Sequence, residues 1–319
     1  MHVMERLQIP IYFAAVFVGS AAGLLIPGIT ATLEMLIWPA VGLLLYFTFL
    51  QVPLLHFWQA LRDVRFLAAI LVANFLLVPL VVWLLLGLVP ALPALQMGVA
   101  LVLLTPCTDW MNTFTLLAQG DAHRTLAATP LLLVIQIFLL PLYLWLMLDG
   151  QISSMVATQP FVQAFAGLIL LPLMLAWLTE WIGKRHEPLG RWIARSSPFP
   201  VVLLAWTLIV IAGSQIKQVL DDVHELSITT VVFILYLFFA AAIGWLTVKF
   251  FSLPTRAGRG VLFSVGTRNS FVVLPLALSL PADWHVAVAA IVIQAFVEML
   301  GMVAFLWLVP GWLLPEAKE

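Results

Sequence analysis

The sequence predicts an all-α polytopic membrane protein, and its composition, its long apolar runs and the placement of its basic residues all support that class. Of the 319 residues, 64% are hydrophobic and 9% are charged, and the mean hydropathy is +1.13. A soluble domain carries about 25% charged residues, so this chain cannot cover a globule with polar surface. The lipid bilayer is therefore its expected surrounding.

The apolar residues fall into ten runs between charged residues or Pro and Gly. A helix needs about 20 apolar residues to cross the hydrocarbon core. The runs are continuous and do not alternate with polar residues, which favours helices over a membrane β-barrel. The ten predicted spans are 9–27, 33–52, 66–88, 94–118, 124–148, 160–183, 199–218, 228–251, 259–280 and 284–309.

Basic residues predict the orientation of these spans. With ten spans, twelve Lys and Arg residues fall on the side that holds both termini, and one, Lys217, falls on the other side. Cytoplasmic loops carry the excess of positive charge. We therefore expect both termini to be cytoplasmic in a protein of the cell membrane.

The chain is predicted to contain two inverted repeats, 1–154 and 155–319. Each half holds five spans, so the second half enters the membrane with the opposite orientation, as in many secondary transporters. The fourth span of each half is interrupted. Thr105-Pro106-Cys107 lies in span four, and Gly266-Thr267-Arg268-Asn269 lies in span nine.

Span four is expected to be kinked or unwound over residues 104–112, because Pro106 cannot donate to its helix and clashes with the preceding turn. Thr105, Thr108, Asp109 and Asn112 supply polar groups within that segment. Such polar residues are typical of broken helices that face a wet cavity. The alternative is an ordinary proline kink packed by neighbouring helices.

Three ionisable residues lie at membrane depth, where a charge costs about 2.5–3.5 kcal/mol on insertion scales. They are Asp109, Arg268 and Glu298. A guanidinium keeps its proton, so Arg268 needs a carboxylate, an anionic substrate or water. An Asp109–Arg268 pair follows if the two broken helices cross, and such a pair can serve transport or only structure.

Three polar or soft side chains add candidate ligands. Cys107 is the single cysteine; such a residue is either a small hydrophobe or, beside a helix break, a functional thiol. Thr125 and Thr129 lie one turn apart and present two hydroxyls on one helix face. These hydroxyls either bind a cation such as Na⁺ together with Asn112, or bond to carbonyls of their own helix.

The breaks in spans four and nine resemble those of the bile acid:sodium symporter superfamily. Within it, Pro106-Cys107-Thr108, followed by the LAQGD segment 117–121, is similar to the arsenical-resistance permease branch. That branch carries a cysteine implicated in arsenite export in its fourth span. The tract 293–298 is similar to the branch's tenth span, where a Glu stands at the position of Glu298.

The resemblance also implies positions for sodium ligands. The span-four Asn of the symporters matches Asn112, and their two span-five hydroxyls match Thr125 and Thr129. Their span-nine Glu and Gln fall on Ser264 and Arg268, a departure that weighs against a second Na⁺ site and weakens the first. An acidic residue that is common in the arsenite branch after the span-nine Asn is replaced here by Phe271.

Two functions follow from these features. The first is export of arsenite in exchange for protons, with Cys107, Thr108, Asn112, Arg268 and Asn269 at the substrate and Asp109, Glu298, Thr125, Thr129 and Ser264 in ion coupling. The second is symport of a small organic anion with Na⁺ or protons. No cofactor is expected, and the net charge of -1 with no basic domain weighs against a nucleic acid partner. Enzyme activity is not expected either, since no ionisable group is placed beside Cys107 as an activating base. Trp residues near span ends indicate interfacial anchoring but no dimer face.

Overall fold

Apolar helices form nearly all of the described chain. The computed structural model describes residues 8–51, 63–148, 163, 166–221, 223–280 and 284–316, without the side chains of Ile9, Asp109, Leu168, Gln218 and Pro275. No β-strand occurs within these ranges. The all-α prediction is therefore confirmed for the described chain.

Among the described residues, seven α-helices precede the region around residue 154. They are α1 (Gln8–Leu25), α2 (Ile29–Leu50), α3 (Val64–Val72), α4 (Val78–Leu86), α5 (Pro93–Leu103), α6 (Asp109–Leu117) and α7 (Ala122–Met147). A π-helical turn, Ala73–Leu77, joins α3 to α4. The predicted repeat boundary at 154 and 155 lies outside the described residues.

Seven more α-helices are described after that region. They are α8 (Leu171–Gly183), α9 (Glu187–Arg195), α10 (Phe199–Asp221), α11 (Val223–Phe250), α12 (Thr255–Gly266), α13 (Ser270–Leu278) and α14 (His285–Leu308). Helix α9 was not predicted. It lies in the loop between the sixth and seventh predicted spans and presents no buried residue.

Six continuous helical segments are long and apolar enough to cross a membrane, among the residues that the structure describes. They are Ile29–Leu50, Val64–Leu86, Ala122–Met147, Phe199–Lys217, Val223–Phe250 and His285–Leu313. Two shorter apolar helices are Pro10–Leu25 and Pro93–Leu103. A multi-pass membrane protein is thus confirmed, whereas ten spans and an inverted repeat stay predictions.

Local sequence fixes where the helices begin. The Asp63 carboxylate accepts a hydrogen bond from the Phe66 amide at 3.1 Å and caps α3. Asp121 caps α7 in the same way, through the Arg124 amide at 3.3 Å. Each cap satisfies an amide that has no partner within its own helix. Pro93 begins α5, where the missing N–H costs nothing.

The helices pack in two groups. Helices α1, α2, α8 and α10 form the first group, and glycines bring α1 against α10. A Cβ atom at Gly19 would lie 2.4 Å from the Ile209 carbonyl oxygen, and one at Gly23 would lie 2.2 Å from that of Gly213. Small residues let membrane helices approach at backbone distance.

The second group contains the interrupted helices α5, α6, α12 and α13 together with α11 and α14. Helix α5 packs on α14 at Gly98, where an added Cβ would lie 2.6 Å from the Ala287 carbonyl oxygen. The C-terminal segment closes one end of this group. The buried Arg259 guanidinium donates to the Leu314 carbonyl at 3.0 Å and to the Ala118 carbonyl at 2.8 Å.

Candidate functional site: a crossing of two interrupted helices beside a cavity

Both predicted helix interruptions are present. Helix α5 ends at Leu103 and α6 begins at Asp109, while α12 ends at Gly266 and α13 begins at Ser270. The predicted unwound segment extended to Asn112, but the structure returns to helix three residues earlier. The reason is that the Asn112 amide N–H already finds the Thr108 carbonyl, at 3.3 Å.

The two unwound segments cross and pair as a short antiparallel bridge. Pro106 faces Arg268 in this bridge. The Cys107 amide donates to the Thr267 carbonyl at 3.2 Å, and the Asn269 amide donates to the Thr105 carbonyl at 2.7 Å. Backbone groups freed by helix breaks must find partners inside the protein, because lipid offers none. Each break therefore supplies partners to the other.

Arg268 lies at the centre of the crossing and is 2% exposed. Its Nη2 donates to Asn74 Oδ1 at 2.7 Å, to the Ser264 carbonyl at 2.7 Å and to the Val265 carbonyl at 2.9 Å. Its Nη1 donates to the Leu103 carbonyl at 3.3 Å. All four acceptors are uncharged oxygens. The predicted Asp109–Arg268 pair stays a prediction, since the Asp109 side chain lies outside the described atoms.

Asn74 belongs to this site and was missed by the sequence analysis. It lies in the π-helical turn between α3 and α4, and its Nδ2 donates to the Ser264 hydroxyl at 2.8 Å. Single π-turns inside membrane helices frequently mark functional positions. The available signal was one amide side chain in the otherwise apolar tract LVANFLLVPL.

Glu298 contacts the backbone of the crossing from α14. Its Oε2 accepts hydrogen bonds from the Arg268 amide at 2.8 Å and from Gln294 Nε2 at 2.6 Å. The Ser270 hydroxyl donates to Gln294 Oε1 at 2.5 Å. A buried hydrogen-bonded chain therefore runs from the first residue of α13 to the Glu298 carboxylate.

A cavity of about 340 Å³ lies beside the crossing, between the two helix groups. Its wall includes Cys107, Asn112 and Asn269 from the second group and Tyr12 and Leu204 from the first. None of the described residues that line it is charged. The cavity is thus large enough for a small molecule, with the helix crossing on one side and the helices of the first group on the other. Both sides contribute polar as well as apolar side chains.

A second, smaller cavity of about 30 Å³ lies beyond two aromatic side chains. Trp110 and Phe271 line both cavities. The Trp110 ring stacks on Tyr12, with ring centroids 6.2 Å apart. The Trp110 and Phe271 side chains therefore separate the larger cavity from the smaller one.

The predicted substrate residues divide into two sets. Cys107, Asn112 and Asn269 line the larger cavity, and Cys107 is 5% exposed. Thr108 and Arg268 are buried beside the crossing and are not among the lining residues. The structure therefore brings the thiol and two amide side chains to one wall, and it holds the guanidinium behind that wall.

The predicted sodium ligands lie together in part. Asn112 Nδ2 donates to the Thr129 hydroxyl at 3.2 Å, and that hydroxyl donates to the Thr125 carbonyl at 3.1 Å. The Thr125 hydroxyl donates to the Ala122 carbonyl at 3.1 Å. Asn112 Oδ1 is buried with no hydrogen-bond partner. Ser264, by contrast, lies away from these residues, and its hydroxyl accepts a hydrogen bond from Asn74 Nδ2 beside the Arg268 guanidinium.

Two interrupted helices that cross beside a cavity are typical of secondary transport proteins, in which broken helices form the binding site. The Sodium Bile acid symporter family model matches residues 38–222, which is more than half of the chain, and the chain belongs to this family. The matched range includes Cys107 and Asn112 and ends before Arg268 and Glu298. A comparison with curated proteins finds no match.

Proposed function

We propose that this protein is a secondary transporter that exports trivalent arsenic, as arsenite, in exchange for protons. The observation that carries the proposal is the position of Cys107, the only thiol of the chain, in the wall of the cavity beside the helix crossing. Trivalent arsenic is soft and prefers thiolate ligands. The Cys107 thiol would replace one hydroxyl of As(OH)₃, so that one As–S bond forms, one As–O bond breaks and the thiol proton leaves with the hydroxyl as water. One such bond is readily reversed by water, whereas three would retain the arsenic.

None of the described side chains in the cavity wall is charged, and this supports a neutral substrate. Arsenite is neutral near pH 7, and its hydroxyls can bond to the amide side chains of Asn112 and Asn269. A wall of amides and one thiol provides such contacts without a fixed charge that would have to be neutralised.

Proton coupling is assigned to Glu298 and Asp109. Glu298 is connected to the crossing through the Arg268 amide and, through Gln294, to Ser270. A change in its protonation therefore alters a hydrogen bond at the segment that carries Asn269 into the cavity wall. We propose the cell membrane as the location, with both termini in the cytoplasm.

The test is arsenite accumulation in everted membrane vesicles energised by a proton gradient, with and without Na⁺. Wild type should accumulate arsenite without Na⁺, and Cys107→Ser should not. Retained accumulation in Cys107→Ser would remove the thiol from the mechanism. No accumulation in wild type would remove arsenite as the substrate.

A second candidate is symport of a small organic anion with Na⁺, and family membership favours it. The N-terminal ends of α6 and α13 lie at the crossing and attract a carboxylate. The amide of Asn112 with the hydroxyls of Thr125 and Thr129 would hold one Na⁺. Uptake of a labelled bile acid that is unchanged when choline replaces Na⁺ would count against this candidate.

A further inference from the structure

The acceptors around Arg268 have a common origin in the two helix breaks. In an uninterrupted helix, the Ser264 carbonyl would accept from the Arg268 amide and the Val265 carbonyl from the Asn269 amide. Here the Arg268 amide donates to Glu298 and the Asn269 amide donates to Thr105. Both carbonyls are left without their usual backbone donors.

A carbonyl at the end of α5, the other interrupted helix, also lacks its usual backbone donor. The Leu103 carbonyl would accept from the Cys107 amide, but that amide donates to Thr267 across the crossing. The C-terminal ends of α5 and α12 thus present carbonyls that lack their usual backbone donors, and both ends carry the negative pole of a helix dipole. The Val265 carbonyl also accepts a hydrogen bond from the Tyr236 hydroxyl at 2.7 Å. One guanidinium donates to all three carbonyls and to Asn74 Oδ1.

This arrangement of oxygens is one that would suit a bound cation. Carbonyl oxygens at the C-terminal ends of broken helices, with a side-chain amide oxygen, are typical ligands of Na⁺ in discontinuous-helix transporters. A guanidinium has only donors and always carries its charge, so it can replace an ion in such a cage without being released. The Tyr236 ring, with its centroid 5.7 Å from the guanidinium carbon, adds a further favourable face.

We propose that Arg268 is a tethered cation that fills a cation site at the helix crossing, so that the crossing holds together without binding a free ion. Removal of the guanidinium should expose a site for a monovalent cation formed by the Ser264, Val265 and Leu103 carbonyls and Asn74 Oδ1. A crossing filled by Arg268 deepens the proposed function, because it limits which sites can bind a coupling ion. The inference itself depends only on the contacts at the crossing. Its test therefore needs no transport substrate.

The experiment measures the unfolding temperature of the purified full chain in detergent, with NaCl exchanged for choline chloride at constant ionic strength. All variants carry Thr129→Val, which removes the separate candidate ligand beside Asn112. Arg268→Gln should be destabilised in choline and should regain stability with a saturable dependence on Na⁺. Wild-type Arg268 and Arg268→Lys should be insensitive to the exchange.

Two results would overturn the proposal. One is an Arg268→Gln protein that Na⁺ does not stabilise, and the other is a comparable Na⁺ response in the protein that retains Arg268. If Arg268→Gln does not fold, the test is the yield of monodisperse protein for Arg268→Lys compared with that for Arg268→Met. A higher yield for Lys supports a requirement for positive charge, whereas equal yields contradict it. A failed arsenite assay would leave each of these outcomes unchanged.

Discussion

Pro106 and Arg268 face each other in an antiparallel bridge, although 162 positions separate them in the chain. Proline removes one donor from its own helix, and the residues on either side of it bond to the residues on either side of Arg268. Through the bridge, each interrupted helix provides hydrogen-bond partners for backbone groups of the other, which lipid cannot provide.

The single cysteine allows a direct test of the cavity wall. A small thiol reagent should label wild type at Cys107, and arsenite should slow that labelling if the thiol binds it. Cys107→Ser is the matched control and should remain unlabelled. Labelling at the same rate with and without arsenite would contradict arsenite binding at this thiol, whatever the transport assay gives.

The Glu298→Gln variant tests proton coupling. The substitution keeps an oxygen that can accept from the Arg268 amide but removes the ionisable group, so the gradient should no longer drive arsenite accumulation. Downhill arsenite equilibration should persist. The protein should lose about 1.5–3 kcal/mol of stability at most, the usual contribution of a hydrogen bond to a charged group.

Vesicle accumulation and downhill exchange, measured on the same preparation, separate these effects. Ser270→Ala is a useful comparison, since it removes the far end of the hydrogen-bonded chain and leaves the carboxylate. Full gradient-driven accumulation in Glu298→Gln would exclude this residue as the proton carrier.

Thr129→Val tests the hydroxyl that joins α6 to α7. Its loss removes one hydrogen bond accepted from Asn112 and one donated to the Thr125 carbonyl, which should cost about 1 kcal/mol. Thr230→Val is the matched control, because the Thr230 hydroxyl donates only to a carbonyl of its own helix at 2.8 Å. Thermal unfolding checks the difference. Equal losses in the two variants would show that the Asn112 contact contributes nothing.

Gly98→Val tests the close approach of α5 and α14. The new side chain would collide with the Ala287 backbone, so the two helices would have to separate, at a cost of about 1–3 kcal/mol. Gly311→Ala is the control, since nothing lies within 4 Å of a Cβ atom placed there. An unfolding temperature for Gly98→Val equal to that of wild type would mean that this contact is not tight.

The helix breaks could be predicted from sequence because their cause is local. Pro106 prevents regular helix by itself, and the run of small and polar residues around Arg268 marks the second break. The position of Cys107 at a cavity followed from the same reasoning, although its role stays a prediction. The number of spans and the inverted repeat also remain predictions, because they depend on segments outside the described residues.

The surroundings of Arg268 could not be predicted in this way. A carboxylate, an anionic substrate and water are the partners that the sequence predicts for its guanidinium. Backbone carbonyls cannot be predicted in the same way, because they become available only where their usual amide donors bond across the crossing instead. Asn74 was missed for a related reason: its contact with Ser264 joins residues 190 positions apart and leaves no periodic pattern.

The described part of the cavity wall, which holds no charged side chain, and the buried Arg268 together have a consequence for transport in an energised membrane. Moving one elementary charge through 100 mV involves about 2.3 kcal/mol. A neutral substrate contributes nothing to that work, so the membrane potential acts on the ionisable residues at the crossing. Arg268 and Glu298 are linked through one amide hydrogen bond and should move together. Arg268 and Glu298 together carry no net charge while Glu298 is ionised, and they carry one positive charge once Glu298 is protonated. The voltage dependence of the transport cycle would therefore report when the Glu298 proton is bound.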